Sequence, residues 1–289
     1  MKFRLRGFSI VREIGEGTFG NVYEGIGHRN GTRVAIKVLK KCAGSDAAER
    51  FNREATILRR EADNAHVVDL VAADLDSDFP YIVMEYCAHG SLEEWTNVRR
   101  PWTKVVAVLS HVVRGLSGIH GNGGFHRDIK PANILLAADP NHPHQMIAKV
   151  ADLGLARLPR RGILTTAQPA GTNGYMAPEI LGGERYHRPA DIYSLGITGV
   201  QLLTGKLDVD GLQDICCPRQ LKTLLRRMTS TSARERPTLG EVDARLRRVL
   251  RPDAQTPKRE QQVNLSDLAP WLLGGAAVVG LLALAASER

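Results

Sequence analysis

Residues 126–133 read His126-Arg127-Asp128-Ile129-Lys130-Pro131-Ala132-Asn133. A carboxylate (Asp128), an ammonium (Lys130) and an amide (Asn133) fall within six positions, and Pro131 stiffens the loop that carries them. Apolar runs flank the stretch on both sides, so it belongs at the mouth of a core. Near the N-terminus, Gly15, Gly17 and Gly20 are spaced to allow a tight turn whose backbone amides can approach phosphate oxygens. Dinucleotide-binding domains share that spacing, but there the glycines open a helix. A third group joins Lys37, in Val34-Ala35-Ile36-Lys37-Val38-Leu39, to Glu54. Period-two alternation puts Lys37 on one face with Ala35 and Leu39, where an ammonium needs a counter-ion. Plainer alternatives are a lysine that snorkels from an edge strand and a glutamate at a stripe margin that reaches solvent.

These side chains need elements to hold them. Phe8–Glu13 reads as a strand, and strand-like Asn21–Gly25 and Arg33–Leu39 follow the glycines, which makes a hairpin loop with Phe19 at its tip. Ser45 or Asp46 can cap a helix running to about Glu61. On that helix Phe51, Glu54, Ala55 and Leu58 share one face. An unpaired Glu54 there would be costly, and Lys37 is its obvious partner. His66–Ala73 and Phe79–Tyr86 read as two further strands. Val105–Gly121 reads as a long apolar helix leading into the polar loop. Residues 133–136 and Met146–Ala151 read as a short strand pair ending at Asp152-Leu153-Gly154.

Taken in order, these motifs resemble those of the protein kinases, in the serine/threonine form of the bacterial (Hanks-type) proteins. The 126–133 stretch resembles the catalytic loop, 34–37 the strand lysine motif, 152–154 the Asp-Phe-Gly segment with Leu for Phe, and Ala177-Pro178-Glu179 the Ala-Pro-Glu segment. Lys130 and Thr172 carry the serine/threonine form. The resemblance implies an α+β, bilobal fold over residues 8–250: a small β-rich N-lobe (about 8–85) and a larger, mainly helical C-lobe (about 88–250). It implies ATP and Mg²⁺ as cofactors and proteins as substrates, with transfer of the γ-phosphoryl group to Ser or Thr hydroxyls, the chain's own included. Asp128 would take the hydroxyl proton, Lys130 would neutralise phosphoryl charge, and Lys37 (held by Glu54) would bind the α- and β-phosphates. Gly15, Gly17, Gly20, Val22, Ala35, Met84 as gatekeeper, Glu85 and Cys87 of the hinge, and Leu135 would surround the nucleotide. Asn133 and Asp152 would hold the metal, since a hard cation takes oxygen ligands and the phosphates supply the rest. A phosphate on Thr165 or Thr166 would pair with Arg127, with Arg157 in support, and Thr172 is grouped with these regulatory residues. Asp191 would brace the catalytic-loop backbone, and Arg236 would pair with Glu179. The stretch between Gly205 and Pro237 is shorter than usual for the family. Ala132 and Ser91 stand where basic-directed kinases carry acidic residues, so an Arg-rich target is not expected.

The chain's 289 residues, 43% hydrophobic and 24% charged, suit one large domain or two small ones. Of the net charge of +8, residues 219–260 hold +7, with twelve Lys or Arg against five Asp or Glu. No nucleic-acid motif accompanies this block. After a polar linker (251–267), residues 268–286 form an uncharged run of nineteen. At roughly 1.5 Å per residue it can just cross about 30 Å of hydrocarbon. A C-terminal transmembrane helix is therefore expected, with the kinase domain on the cytoplasmic side where the basic residues lie; a helix packed on the domain is the alternative. Ala276 and Gly280 form a small-xxx-small pair suited to a homodimer. Met1–Gly7 leads into no apolar run, so no secretory leader is expected. Cys42, Cys87, Cys216 and Cys217 lack metal-ligand spacing and fit a reducing compartment. Two other classes compete. A silent kinase-fold scaffold would have lost Lys37, Asp128, Asn133 or Asp152, and a small-molecule phosphotransferase would lack the Ala-Pro-Glu segment.

Overall fold

The alternation at 33–39 sends its two sets of side chains to different places. The computed structural model describes residues 5–16, 20–40, 45–140, 142, 145–155, 172 and 174–250. Strands β1 (Phe8–Glu16), β2 (Gly20–Gly27), β3 (Arg33–Leu39), β4 (Leu70–Asp74) and β5 (Tyr81–Glu85) form an antiparallel sheet in the order β1-β2-β3-β5-β4. Val34, Ile36 and Val38 pack with Tyr81 and Val83 in one cluster. Leu39 instead joins the core built on Phe51, Ala55 and Leu58 of helix α1 (Ser45–Arg60). The register sets Val22 opposite Lys37, Lys37 opposite Ile82 and Ala35 opposite Met84. Gly20 is required by close approach, because a Cβ there would lie 2.6 Å from the Val38 carbonyl oxygen.

The second half is mainly helical. Helix α2 (Trp102–Gly121) buries most of its length, and it leads to a two-stranded sheet of β6 (Ile134–Ala138) and β7 (Met146–Val150). Helices α3 (Pro178–Leu181), α4 (Arg188–Thr204), α5 (Arg219–Met228) and α6 (Leu239–Leu250) complete it. Between Gly205 and Pro237 the chain makes only α5 and short 3-10 turns at Asp210–Asp214 and Ala233–Glu235. One continuous core cluster runs from α1 through α2, β6 and β7 to α4, α5 and α6. The architecture is thus a β-rich lobe on a helical lobe.

Two element boundaries differ from the sequence reading. The strand expected from His66 begins only at Leu70. The Asn64 side chain and carbonyl receive the amides of His66 and Val67, while the His66 carbonyl and Val68 amide pair with Val150. The backbone of 66–68 is thus taken up by a turn and by β7. Helix α2 begins at Trp102 rather than Val105, directly after Pro101. Pro101 precedes the first helical turn, where a missing N–H costs little. Among the described residues no helix is long and apolar enough to cross a membrane, and the run at 268–286 lies outside them.

Helix α4 crosses α5 so closely that a Cβ on Gly196 would come within 2.8 Å of both Met228 Cβ and Thr229 Cγ2. Gly196→Ala should therefore overpack this crossing and cost ~1–3 kcal/mol, read as a lower urea midpoint at unchanged slope.

Candidate active site

Lys37 and Glu54 come from neighbouring elements and meet directly. Lys37 Nζ donates to Glu54 Oε2 at 2.7 Å and Oε1 at 3.0 Å, and also to Asp152 Oδ1 at 2.9 Å. The Glu54 side chain is 2% exposed and that of Lys37 14%. Burial alone would lower the lysine's pKa, but the charges of Glu54 and then Asp152 outweigh it and hold the ammonium above its ordinary value. Desolvation would likewise raise the Asp152 carboxyl, and Lys37 outweighs it, so its pKa lies below the ordinary carboxylate value. Asp152 carries φ +56°, an uncommon backbone for a residue with a Cβ. Leu153 beside it is fully buried.

The polar loop is built on a buried carboxylate. Asp191, from the first turn of α4, accepts the backbone amides of His126 and Arg127 at 2.9 Å each, His120 Nε2 at 2.7 Å and the Tyr186 hydroxyl at 2.8 Å. Burial would raise its pKa, yet His120 and the other donors hold it below the ordinary carboxylate value. Arg127 adopts φ +74°, and its guanidinium lies 5.2 Å from the Tyr186 ring centroid. His126 is fully buried and shares a hydrogen bond with the Ala151 carbonyl at 3.0 Å, which ties the loop to the residue before Asp152.

On that frame Asp128 faces three side chains. Its Oδ2 accepts from Asn133 Nδ2 at 2.9 Å and pairs with Lys130 Nζ at 3.1 Å, while its Oδ1 accepts the Thr172 amide and hydroxyl at 3.0 Å each. Lys130 Nζ also donates to Thr172 Oγ1. Thr172, grouped by sequence with the regulatory threonines, therefore sits inside the catalytic loop's hydrogen-bond network. Thr165, Thr166, Arg157 and Gly17 lie outside the described residues.

A cleft of about 1000 Å³ is lined by Gly15, Gly20, Val22, Ala35, Lys37, Glu54, Met84, Glu85, Cys87, Asp128, Lys130, Asn133, Leu135 and Asp152. Residues far apart in the sequence, from Gly15 to Asp152, thus share one cavity. One edge of it is formed by Glu85, whose amide is taken by the Asp69 carbonyl. The Cys87 thiol there is pushed up to about 12 by burial and by Glu85, so it is an inert wall rather than a nucleophile. Two further residues support this edge, of which sequence reasoning missed the first. Lys149, 5% exposed, bonds both Glu85 and Asp69, and Ser91 caps the turn at Leu92–Trp95. Only the burial of Lys149 marks it, and nothing in its neighbours along the chain does.

A β-rich lobe over a helical lobe, with a lysine, two carboxylates and an amide meeting between them, defines a nucleotide-dependent phosphoryl-transfer domain. The family profile of the protein kinase domain matches residues 8–248, and the chain belongs to that family, in its Hanks-type serine/threonine class. It is 35% identical over 209 residues to the serine/threonine-protein kinase Pkn1 of Myxococcus xanthus, covering 71% of this chain and 30% of that protein. It is 36% identical over 204 residues to the serine/threonine-protein kinase PknK of Mycobacterium bovis (69% and 18%). A probable serine/threonine-protein kinase of Bifidobacterium longum, pknA2, is 34% identical over 211 residues (70% and 27%). The chain thus spans under a third of the length of each.

Kinases of this family use ATP and Mg²⁺. Among the described residues no cluster of three or more His, Cys, Asp or Glu could hold a metal by itself. The donors present fit magnesium completed by phosphate: both amide hydrogens of Asn133 go to Asp128, which leaves its oxygen for a cation, and Asp152 adds a carboxylate.

Farther out, Arg236 grips Glu179 with two bonds of 2.7 Å, with the arginine side chain fully buried. Burial would raise the Glu179 carboxyl, and Arg236 outweighs it, so its pKa falls below the ordinary 4.5. A carboxyl with a depressed folded pKa stabilises above its unfolded value and loses that contribution as pH drops through the folded one. Glu179→Gln should therefore cost ~3–5 kcal/mol at neutral pH, and the gap to wild type should narrow on acidification below pH 4.5 in denaturant titrations.

Proposed function

We propose that the protein is an ATP-dependent protein kinase that moves the γ-phosphoryl group of ATP to Ser and Thr hydroxyls of proteins, itself included. The observation that carries this reading is the convergence of Lys37, Asp128, Asn133 and Asp152 on one cleft. Lys37, charged and held by Glu54, binds phosphate oxygens. Asn133 Oδ1 and the Asp152 carboxylate hold magnesium, which supplies charge neutralisation on the phosphates. Asp128 orients the incoming hydroxyl and accepts its proton, and Lys130 Nζ neutralises charge on the phosphoryl oxygens in transfer. Thr172 mimics that contact, since its hydroxyl already lies between Lys130 and Asp128. Such catalysis is positioning plus electrostatics. A scaffold role is disfavoured because each of these side chains is present and engaged.

Two finer assignments belong to the same reading. Phosphate on Thr165 or Thr166 orders the activation segment by pairing with Arg127. Residues 268–286 anchor the chain in the cytoplasmic membrane with the kinase domain in the cytoplasm, and Ala276 and Gly280 bring two anchors together. An uncharged run of nineteen residues behind a basic block supports the anchor.

Incubation of the full chain with labelled ATP and magnesium should phosphorylate Ser or Thr. Asp128→Asn should reduce the rate by a factor on the order of 10³ or more, and mass spectrometry should find phosphate on Thr165 or Thr166 in wild type only. Equal labelling in the variant would sink the assignment of Asp128. In cell fractions the full chain should sediment with membranes and resist carbonate extraction, and a chain ending at residue 252 should not.

A further inference from the structure

Glu54 can hold Lys37 only if helix α1 stays in place, and the far end of that helix carries a second buried carboxylate. Glu61 follows the last residue of α1 and is 5% exposed. Its Oε2 accepts from Asn64 Nδ2 at 3.0 Å, and its Oε1 accepts from Asn122 Nδ2 at 2.7 Å. Asn64 Nδ2 reaches on to the Gly115 carbonyl at 3.3 Å. Asn122 caps the C-terminus of α2, directly after Gly121, and the chain continues from it into the loop opening at His126. One carboxylate therefore joins the foot of α1 to the root of the catalytic loop.

The surface of α2 is cut for this contact. A Cβ on Gly118 would collide with Glu61 Oε2 and Asn64 Nδ2, and one on Gly115 would lie 2.6 Å from the His66 carbonyl oxygen. Burying a carboxylate is costly unless it is hydrogen-bonded, and an apolar side chain of similar size would fill the same space. What the carboxylate adds to the shared apolar core is a directional link between the two elements. Glu54 lies seven residues before Glu61, two helical turns up the same face of α1. A shift at the foot of the helix moves Glu54 with it.

We propose, on the kinase reading of the cleft given above, that Glu61 is a positioning residue. Its clamp with Asn64 and Asn122 holds α1 where Glu54 meets Lys37, so the ion pair is set by the chain's own residues.

The test measures ATP-dependent phosphate incorporation by the full chain across ATP concentrations. The temperature is one at which circular dichroism shows every variant folded, so that lost stability alone leaves the rate unchanged. Glu61→Leu removes both acceptors, and Asn122→Asp sets a carboxylate against a carboxylate. Each should lower the maximal rate about tenfold, the scale of one mismatched buried polar contact. The double variant Glu61→Gln/Asn122→Asp exchanges the partners. Its glutamine amide can donate to the new aspartate while its carbonyl still accepts from Asn64, so most of the rate should return. Adding Glu61→Leu to Glu54→Gln should lower the rate no further. Asn122→Ala, at an exposed position, should show a smaller loss and serves if a carboxylate variant does not fold. Folded single variants with the wild-type rate overturn the proposal, as does a double variant no faster than the singles. A wild-type chain that incorporates no phosphate overturns the kinase reading itself.

Discussion

A buried ammonium between two carboxylates is the constraint on which the rest of this structure depends. Lys37 sits on β3, Glu54 on α1 and Asp152 beyond the end of β7, and all three meet within hydrogen-bond distance. Removing Lys37 would leave the Glu54 carboxylate, 2% exposed, as an unpaired desolvated charge, which is far more expensive than the net worth of the pair. The helix must therefore lie over the sheet, and the segment after β7 that carries Asp152 must rise to meet it. That joins the two lobes through one side chain.

The catalytic loop faces the opposite problem. Before the 3-10 turn at Pro131–Asn133 it forms no regular element, so its first amides need acceptors from elsewhere, and it must hold Arg127 in a left-handed backbone conformation. Asp191 supplies those acceptors from α4, and His120 and Tyr186 complete its shell. The buried carboxylate offsets its desolvation by organising several donors at once. His126 then passes the geometry to Ala151 and so to Asp152. A charged group buried for shape is a recurring device in this molecule: Glu61 below α1, Lys149 behind the hinge and Arg236 against Glu179 each join elements distant along the chain. In each case hydrogen bonds to fixed partners define one arrangement, where an apolar contact would tolerate several.

Chemistry and local structure were largely readable from residue order. Glycine spacing, the alternation of 33–39 and the apolar stripe of α1 follow from backbone sterics and periodicity, which act over a few residues. The polar motifs 126–133 and 152–154, together with the resemblance they carry, marked the cleft's principal side chains before any fold was known. Packing in three dimensions settled what depends on partners far off in the chain. The second bond from Lys37 to Asp152, the placement of Thr172 on Asp128, and the late start of β4 were all decided there. So were the burial of Glu61 and Lys149, which look like ordinary surface charges when read in line. Hydrogen bonds and desolvation depend on distances that residue spacing does not encode, so these features appeared only once the chain had closed on itself.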